Sequence, residues 1–537
     1  MNASRRIVRR SGRIIAAVVL ATFGYLLAAE FTWWDDSNTV HQNPLLNPAS
    51  WASVEYYWTH AEHSIFIPLT YTVWILLTFV SRVTPDPLDI ALNPLWYHAV
   101  NILFHLLSAF AVAGILRRVF RNEWAAVIGA IAFAVHPVQV ESVAWVSGLK
   151  DVMSGCFVLW GIYWLVRARQ ADRPTSAKLV SIAMLVLALL SKPAAMTAPA
   201  VLLVVDLLLL KTPWRRAIRD VVPYVIVTIP FMVIAKLSQP ALSIESPIWA
   251  RPLIAMDSVA FYLGKILFPY PLVLDYGRTP MRVIETGQIY WTWVFAFAAL
   301  VGVLWMLRKR FFIPAAAILV LVLAPAHTLG LVRFEFQDVS TVADHYFYVA
   351  MLGIAILIGW AVVHLRSTRY VAVGILGIWC VASAWQTRVW QDHETLMLHT
   401  YAHTPYGKVG ATNLASWGVI TRNLPMAKRF SEIALQNRPN EPVVLVNAAY
   451  VALIERDDAR AKELFLRNVA EHEKFYGKDA PGVAEAWVKA ADAYFDTNRP
   501  NDACWCVENA QRLAPSSPEV QRVSARLARE SSIIPRK

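Results

Sequence analysis

Apolar runs of roughly 17–23 residues recur along this chain between short polar connections, the length that crosses a hydrocarbon layer of about 30 Å at 1.5 Å per helical residue. Such runs predict helices near 13–30, 94–116, 122–137, 151–167, 178–192, 195–210, 221–237, 288–307, 311–329, 346–364 and 369–386, about eleven spans. The fold class is therefore all-α, with a polytopic membrane domain over 1–386 and a different kind of unit over 387–537. The run at 13–30 follows a basic start, as a signal peptide would, but its apolar core is long for one and reads as a retained span. The run "SIFIPLTYTVWILLTFV" at 64–80 is apolar enough to cross. Counting it would export the cluster Arg117, Arg118 and Arg121, so it is expected to lie in the interface, starting or kinking at Pro68.

Basic residues supply the orientation. Arg5, Arg6, Arg9, Arg10 and Arg13 precede the first run, and Arg117 to Arg121, Lys211 to Arg219 and Arg308 to Arg310 fill alternate connections. By the positive-inside rule the N-terminus is cytoplasmic. With an odd number of spans, the loop 31–93 and everything after 386 lie on the outer face, the periplasm of a bacterial inner membrane. The net charge of +12 then reads as topology in a chain that is 57% hydrophobic and 16% charged. It implies contact with membrane lipid and no nucleic-acid partner.

Beyond residue 386 alanines recur at helical spacing among regular charges. Trp487, Ala490, Ala491 and Tyr494, followed by Ala503, Val507, Ala510 and Pro515, match the spacing of a tetratricopeptide repeat. An earlier copy reads Leu414, Ala415, Gly418, Ala427, Ala434 and Pro439; a third reads Ala448, Ala449, Ala452, Ala461 and Phe465, before an insertion at 477–482. Three copies are about the minimum for a stable α-solenoid, and a generic helical bundle is the alternative. Charges in this tail nearly balance, so electrostatic capture by it is not expected.

No zinc spacing, phosphate-binding loop or dinucleotide glycine pattern occurs. Instead, ionisable residues gather at the outer ends of the expected helices. Asp35 and Asp36 follow two tryptophans in "FTWWDDSNTVHQNP". His136, Glu141, Lys150 and Asp151 lie in "HPVQVESVAWVSGLKD", Lys192 in "SKPAAMT", and Asp344, His345 and Tyr346 in "FEFQDVSTVADHYFY", which Arg333 immediately precedes. A charged group costs about 2.5–3.5 kcal/mol at the bilayer centre and less near its edge. Each residue alone reads as a solvated helix end or a cap. Together, on one face, they describe a site for an anionic head group beside a base.

The order and spacing of "WDD" with Asn43 downstream, "IPLT", "HPVQVESVAW" with "LKD", "SKPAAMT", "FYLGKILFPYPL" and "ADHYFYVAMLG" resemble the transmembrane and tetratricopeptide-repeat proteins related to protein O-mannosyltransferases. The resemblance covers nearly the whole chain. It implies the GT-C fold and an inverting transfer of a sugar from a polyprenyl-phosphate carrier to a hydroxyl acceptor on the outer side; the concave groove of the repeats is expected to hold a protein acceptor. A carboxylate within about 3 Å can deprotonate such a hydroxyl, and cations can offset the charge growing on the phosphate. Asp35 is the first choice of base and Asp36 the orienting group; the like charge beside each is expected to raise one proton affinity. Lys150, Lys192, His345 and Arg333 are candidates for the phosphate, with Asn43, His136, Glu141, Asp151, Asp344 and Tyr346 lining the site. No cofactor is implied; the carboxylates are of a type that suits a divalent metal, but the relatives imply that none is needed. The relatives also imply Arg before Lys150 and after Asp344, where this chain has Leu149 and His345. A non-catalytic scaffold recruiting partners through its repeats is the alternative, and a transporter, with Asp206 as the acidic group inside a span, is the third reading.

Overall fold

A computed structural model describes residues 2–171, 174–238, 246–365 and 367–533. Helices dominate, and the described residues contain isolated β-bridges but no strand. Two compact units result, Met1–Leu396 and Met397–Lys537.

In the first unit six helices are long and apolar enough to cross a membrane: Arg6–Ala28, Pro94–Phe120, Val146–Arg169, Trp214–Ser238, Ile289–Arg308 and Thr368–Trp390. This is a multi-pass membrane protein. A seventh apolar element, Glu123–Val135 with Pro137–Ala144, is bent by 55° at its break. Other expected spans are shorter helices, Thr175–Ser191, Pro193–Leu209, Phe312–Leu323 and Met351–His364. At 1.5 Å per residue these reach about 18–26 Å, less than the hydrocarbon thickness. The run at 64–80 becomes Pro68–Ser81, 14 residues with Pro at the first turn, where its missing N–H leaves nothing unpaired. Its Thr70 hydroxyl donates to the Ser191 carbonyl at 2.9 Å, at the end of the helix that closes there. Arg251–Leu267 is a helix that the apolar pattern did not reveal, because Arg251, Asp257 and Lys265 interrupt it. It is held by Ile254 packing with Val283 and Ile289, and by Arg278 donating to Asp257 at 2.5 Å.

Small residues let the central helices touch. A Cβ on Gly353 would stand 2.5 Å from the Ala317 carbonyl oxygen, and one on Gly155 would stand 2.4 Å from the Tyr348 ring. These contacts bring 149–169 and 312–323 against the segment 344–353, which carries part of the site. Asp206 does not stand alone inside a span. The Arg169 guanidinium donates to both its carboxylate oxygens, and to Asp220 at 2.7 Å, while Lys178 holds Asp220 at 2.8 Å. The acidic group that a transporter reading needed is thus committed to an ion network at the basic helix ends.

The second unit is a succession of paired helices: Gly410–Ile420 with Leu424–Asn437, Pro442–Ile454 with Asp458–Tyr476, and Ala484–Asp496 with Pro500–Leu513, followed by Pro518–Ile533. The alanines picked out in the sequence sit between paired helices and are buried, as are Phe465, Trp487 and Tyr494. At the first pair a Cβ on Gly418 would stand 2.4 Å from the Ala427 amide nitrogen, so only glycine allows that approach.

Candidate active site

The two adjacent carboxylates have opposite environments. Asp36 is fully buried, and both its oxygens are occupied: Oδ2 accepts from the Thr32 amide at 3.0 Å and hydroxyl at 2.8 Å, and Oδ1 accepts from the Ser147 amide at 2.9 Å and hydroxyl at 2.6 Å. Burial pushes its carboxyl up to about 6, with the four donors pulling the other way. The like charge of Asp35, invoked from sequence, is not the cause. Asp36 ties the outer loop to the turn before the Leu149–Arg169 helix. Gly148 makes that turn possible, since a Cβ there would lie 2.4 Å from the Ser142 carbonyl oxygen. With the clamp in place, Asp35 keeps a side chain 40% exposed and faces Lys150, its Oδ2 3.6 Å from Nζ. No cationic partner was legible beside Asp35 in sequence; the fold supplies one in Lys150. The same loop is braced from behind, where the Glu30 amide donates to the Gln391 carbonyl at 2.8 Å and the Trp33 amide to His393 Nδ1 at 3.0 Å.

Past Lys150, starting at Asp151, lies a small cavity of about 40 Å³ that neither acid of the pair lines directly. One wall is polar, with Asp151, Lys192, His327, His345 and Tyr346; the other is made of small apolar residues such as Gly155, Ala195, Ala198 and Val201. Lys192 Nζ bonds Asp151 Oδ1 at 2.6 Å and lies 5.5 Å above the Tyr346 ring, while Lys150 Nζ lies 4.5 Å above Trp145. Burial pulls the Lys192 ammonium down in pKa, opposed by Asp151. His345 Nδ1 shares a 2.5 Å hydrogen bond with Glu141 Oε1, and Glu141 Oε2 accepts from the Asp344 amide at 3.2 Å. Burial, then Lys192 and Lys150, hold His345 well below the usual imidazole range. The imidazole Nδ1 is committed to Glu141 and is not offered to the cavity.

Not every expected residue reaches this cavity. Asp344 turns the other way and accepts the Tyr276 hydroxyl on both oxygens, at 2.9 and 3.0 Å; burial raises its carboxyl, and Lys265 opposes that. His136 supports the helix break: Nδ1 accepts from the Val138 amide at 3.3 Å, Nε2 lies 3.3 Å from the Ile266 carbonyl, and the ring packs edge-on against Trp379 at 4.4 Å. Asn43 braces the outer loop, donating to the Tyr57 hydroxyl at 2.9 Å and accepting the Leu45 amide at 2.9 Å. Arg333 is half-buried and is not part of the cavity wall. In exchange the fold brings in His327, Ser154 and Thr197 at the cavity, and Lys265 and Tyr276 behind Asp344. Among the described residues no cluster of three or more His, Cys, Asp or Glu could hold a metal ion. Asp36 has both oxygens engaged by donors, so the carboxylate pair does not form a joint oxygen cage.

Residues 96–238 match the family model described as dolichyl-phosphate-mannose-protein mannosyltransferase. Protein O-mannosyl-transferase TMTC1 of Mus musculus is 29% identical over 215 residues, 36% of this chain and 22% of that protein. Protein O-mannosyl-transferase Tmtc1 of Drosophila melanogaster is 31% identical over 108 residues, 20% of this chain and 12% of that protein. The matched stretches thus cover less than a quarter of either relative. The crystal structure of ArnT from Cupriavidus metallidurans bound to undecaprenyl phosphate aligns over 97% of this chain and 88% of that one, at 12% identity and a TM-score of 0.41, a superposition too loose to carry a statement about this chain.

Proposed function

We propose, from the kinship of this chain with the TMTC-type protein O-mannosyl-transferases, that it is a membrane glycosyltransferase of the GT-C type, moving a sugar from a polyprenyl-phosphate carrier to a hydroxyl acceptor at the outer face. The observation that carries the proposal is the division of labour in the acidic pair: an immobilised Asp36 and an accessible Asp35 that faces Lys150, next to a small cavity with Lys192 in its wall. Asp35 takes the proton of the acceptor hydroxyl as its oxygen bonds to the anomeric carbon. The bond from that carbon to the carrier phosphate breaks, and the electron pair leaves with the phosphate, inverting the carbon. Preorganised cations stabilise that charge most where water is excluded. Lys150, next to the base, and Lys192, half-shielded over Tyr346, are the groups for it. Leu149, where the relatives imply Arg, is buried packing, and His345 is engaged by Glu141, so the phosphate depends on the two lysines. The small apolar wall suits the first isoprene units of a lipid carrier.

In this reading the chain crosses the membrane about eleven times, the shorter helices included. The second unit is a tetratricopeptide-type solenoid on the outer face that holds a protein acceptor. Asp35→Asn is expected to lower acceptor glycosylation in cells by at least about a hundredfold, in the range of a lost general base, with expression unchanged. Full activity in that variant would sink the assignment.

A further inference from the structure

The second unit holds an open concavity of about 1070 Å³, and its wall is not charge-balanced. Four arginines line it, Arg422, Arg456, Arg499 and Arg526, against one acid, Asp496. Arg526 is spent on Asp496 at 2.9 Å and Glu530 at 3.0 Å, and Arg499 on Asp458 at 2.8 Å. Among the described residues Arg422 and Arg456 pair with no acid, and both are exposed. The near-zero charge of the tail argued against electrostatic capture; locally, this wall carries two arginines without an acidic partner.

The two free arginines occupy one structural position. Each lies one residue past the C-cap of the first helix of a pair, after Thr421 and Glu455, and they are one repeat period of about 34 residues apart. Each adopts a left-handed backbone, φ 57° at Arg422 and 63° at Arg456, and the third copy has Asn498 there with φ 63°. This conformation is disfavoured for a residue with a long side chain and suits Gly or Asn. Arginine stands twice where a cheaper residue would close the helix. Two residues before each arginine, Ile420 and Ile454 present apolar side chains that are each 40% exposed, and Tyr450 is half-buried in the same wall.

We infer that this concavity binds an extended acidic peptide segment, its carboxylates on Arg422 and Arg456 and its apolar side chains on Ile420, Ile454 and Tyr450. The inference deepens the acceptor-holding role proposed above and rests on it. Guanidinium pairs with carboxylate in a bidentate fork, and a ladder of such positions reads charge along an extended chain. The partner is a protein whose exposed segment alternates Asp or Glu with Leu or Phe.

The test uses the full chain in lipid nanodiscs and a fluorescein-labelled peptide of alternating Glu and Leu or Phe, read by polarisation. Binding is expected at low salt, and a peptide with Lys in place of Glu is expected not to bind. The double variant Arg422→Asn with Arg456→Asn removes both charges and relaxes both turns, so its melting temperature is expected to stay or rise while affinity falls at least about tenfold. Unchanged affinity in that variant, or equal binding of the Lys peptide, overturns the inference. A wild-type dimer in native mass spectrometry that the double variant loses overturns it too, since the occupant would then be a second copy. Transfer to a small hydroxyl acceptor is measured in parallel. Transfer without peptide binding defeats this inference alone, and peptide binding without transfer defeats the catalytic proposal alone.

Discussion

Asp36 accepts four hydrogen bonds and offers no lone pair toward the open side of the loop, so its replacement tests architecture. Asp36→Asn would set an amide N–H₂ against donors from Thr32 or Ser147, at a cost of about 2–4 kcal/mol, whereas Asp35→Asn is expected to change stability by less than about 0.5 kcal/mol. Thermal unfolding of the two variants in detergent checks this, and equal losses would undo the distinction. Titration separates them further. Because the folded carboxyl of Asp36 is raised to about 6 from an unfolded value near 3.8, its stabilising contribution is full below about pH 4, declines as pH rises toward 6, and is constant above. The melting temperature of wild type relative to Asp36→Asn should therefore fall between pH 4 and 6 and stay level from pH 7 to 8. The pair, with Lys150, Asp151, Lys192, His345 and Tyr346, was legible as a group because these residues sit at helix ends of common polarity. A split between Asp35 and Asp36 was expected, but the groups that hold Asp36 were not, since Thr32 and Ser147 are a lone threonine and a lone serine in stretches that carry no pattern. His327 was missed for the same reason: it is one imidazole after an apolar run.

Helices whose lengths matched an apolar run were found where the pattern put them, and those shaped by contact were not. Phe312–Leu323 ends early because the chain turns at Ala326–Thr328, which places His327 beside Lys192 instead of continuing across. Arg251–Leu267 hid behind its charges, of which Asp257 faces Arg278 and Lys265 the loop with Tyr276. Glycine contacts fix how these elements meet, and a bulky side chain at one of them is the sharpest element-level test. Gly353→Val would drive its side chain against the Ala317 carbonyl and Leu321, and the expected loss is about 1–3 kcal/mol from overpacking. Gly377→Val, on a lipid-facing helix with open space, should cost well under that. If both variants melt alike, close approach of those helices is not what holds the segment 344–353 in place.

At the scale of the molecule, chemistry and acceptor choice are expected to separate along the chain. Deleting 405–537 should reduce transfer to a protein acceptor, since a tethered site keeps a bound acceptor at roughly millimolar effective concentration, and spare transfer to a small hydroxyl compound supplied in excess. An unchanged rate on the protein acceptor would reassign the second unit to assembly. The basic clusters predict in addition that a reporter fused after Lys537 works only in an exported form; a cytoplasmic signal would mean the span count is even.

The brace behind the acidic loop bears on how such chains could be recombined. Gln391 and His393 lie past the last apolar helix, where a hydrophobicity profile would place the junction, yet their carbonyl and imidazole receive the amides of Glu30 and Trp33. A chimera that takes a relative's tail from residue 387 would fit foreign atoms against the backbone leading to Asp35, while one joined after His403, where the His393–His403 helix ends, carries its own support along. Domain exchange, in the laboratory or in evolution, is thus expected to preserve transfer to a small acceptor only across the later junction.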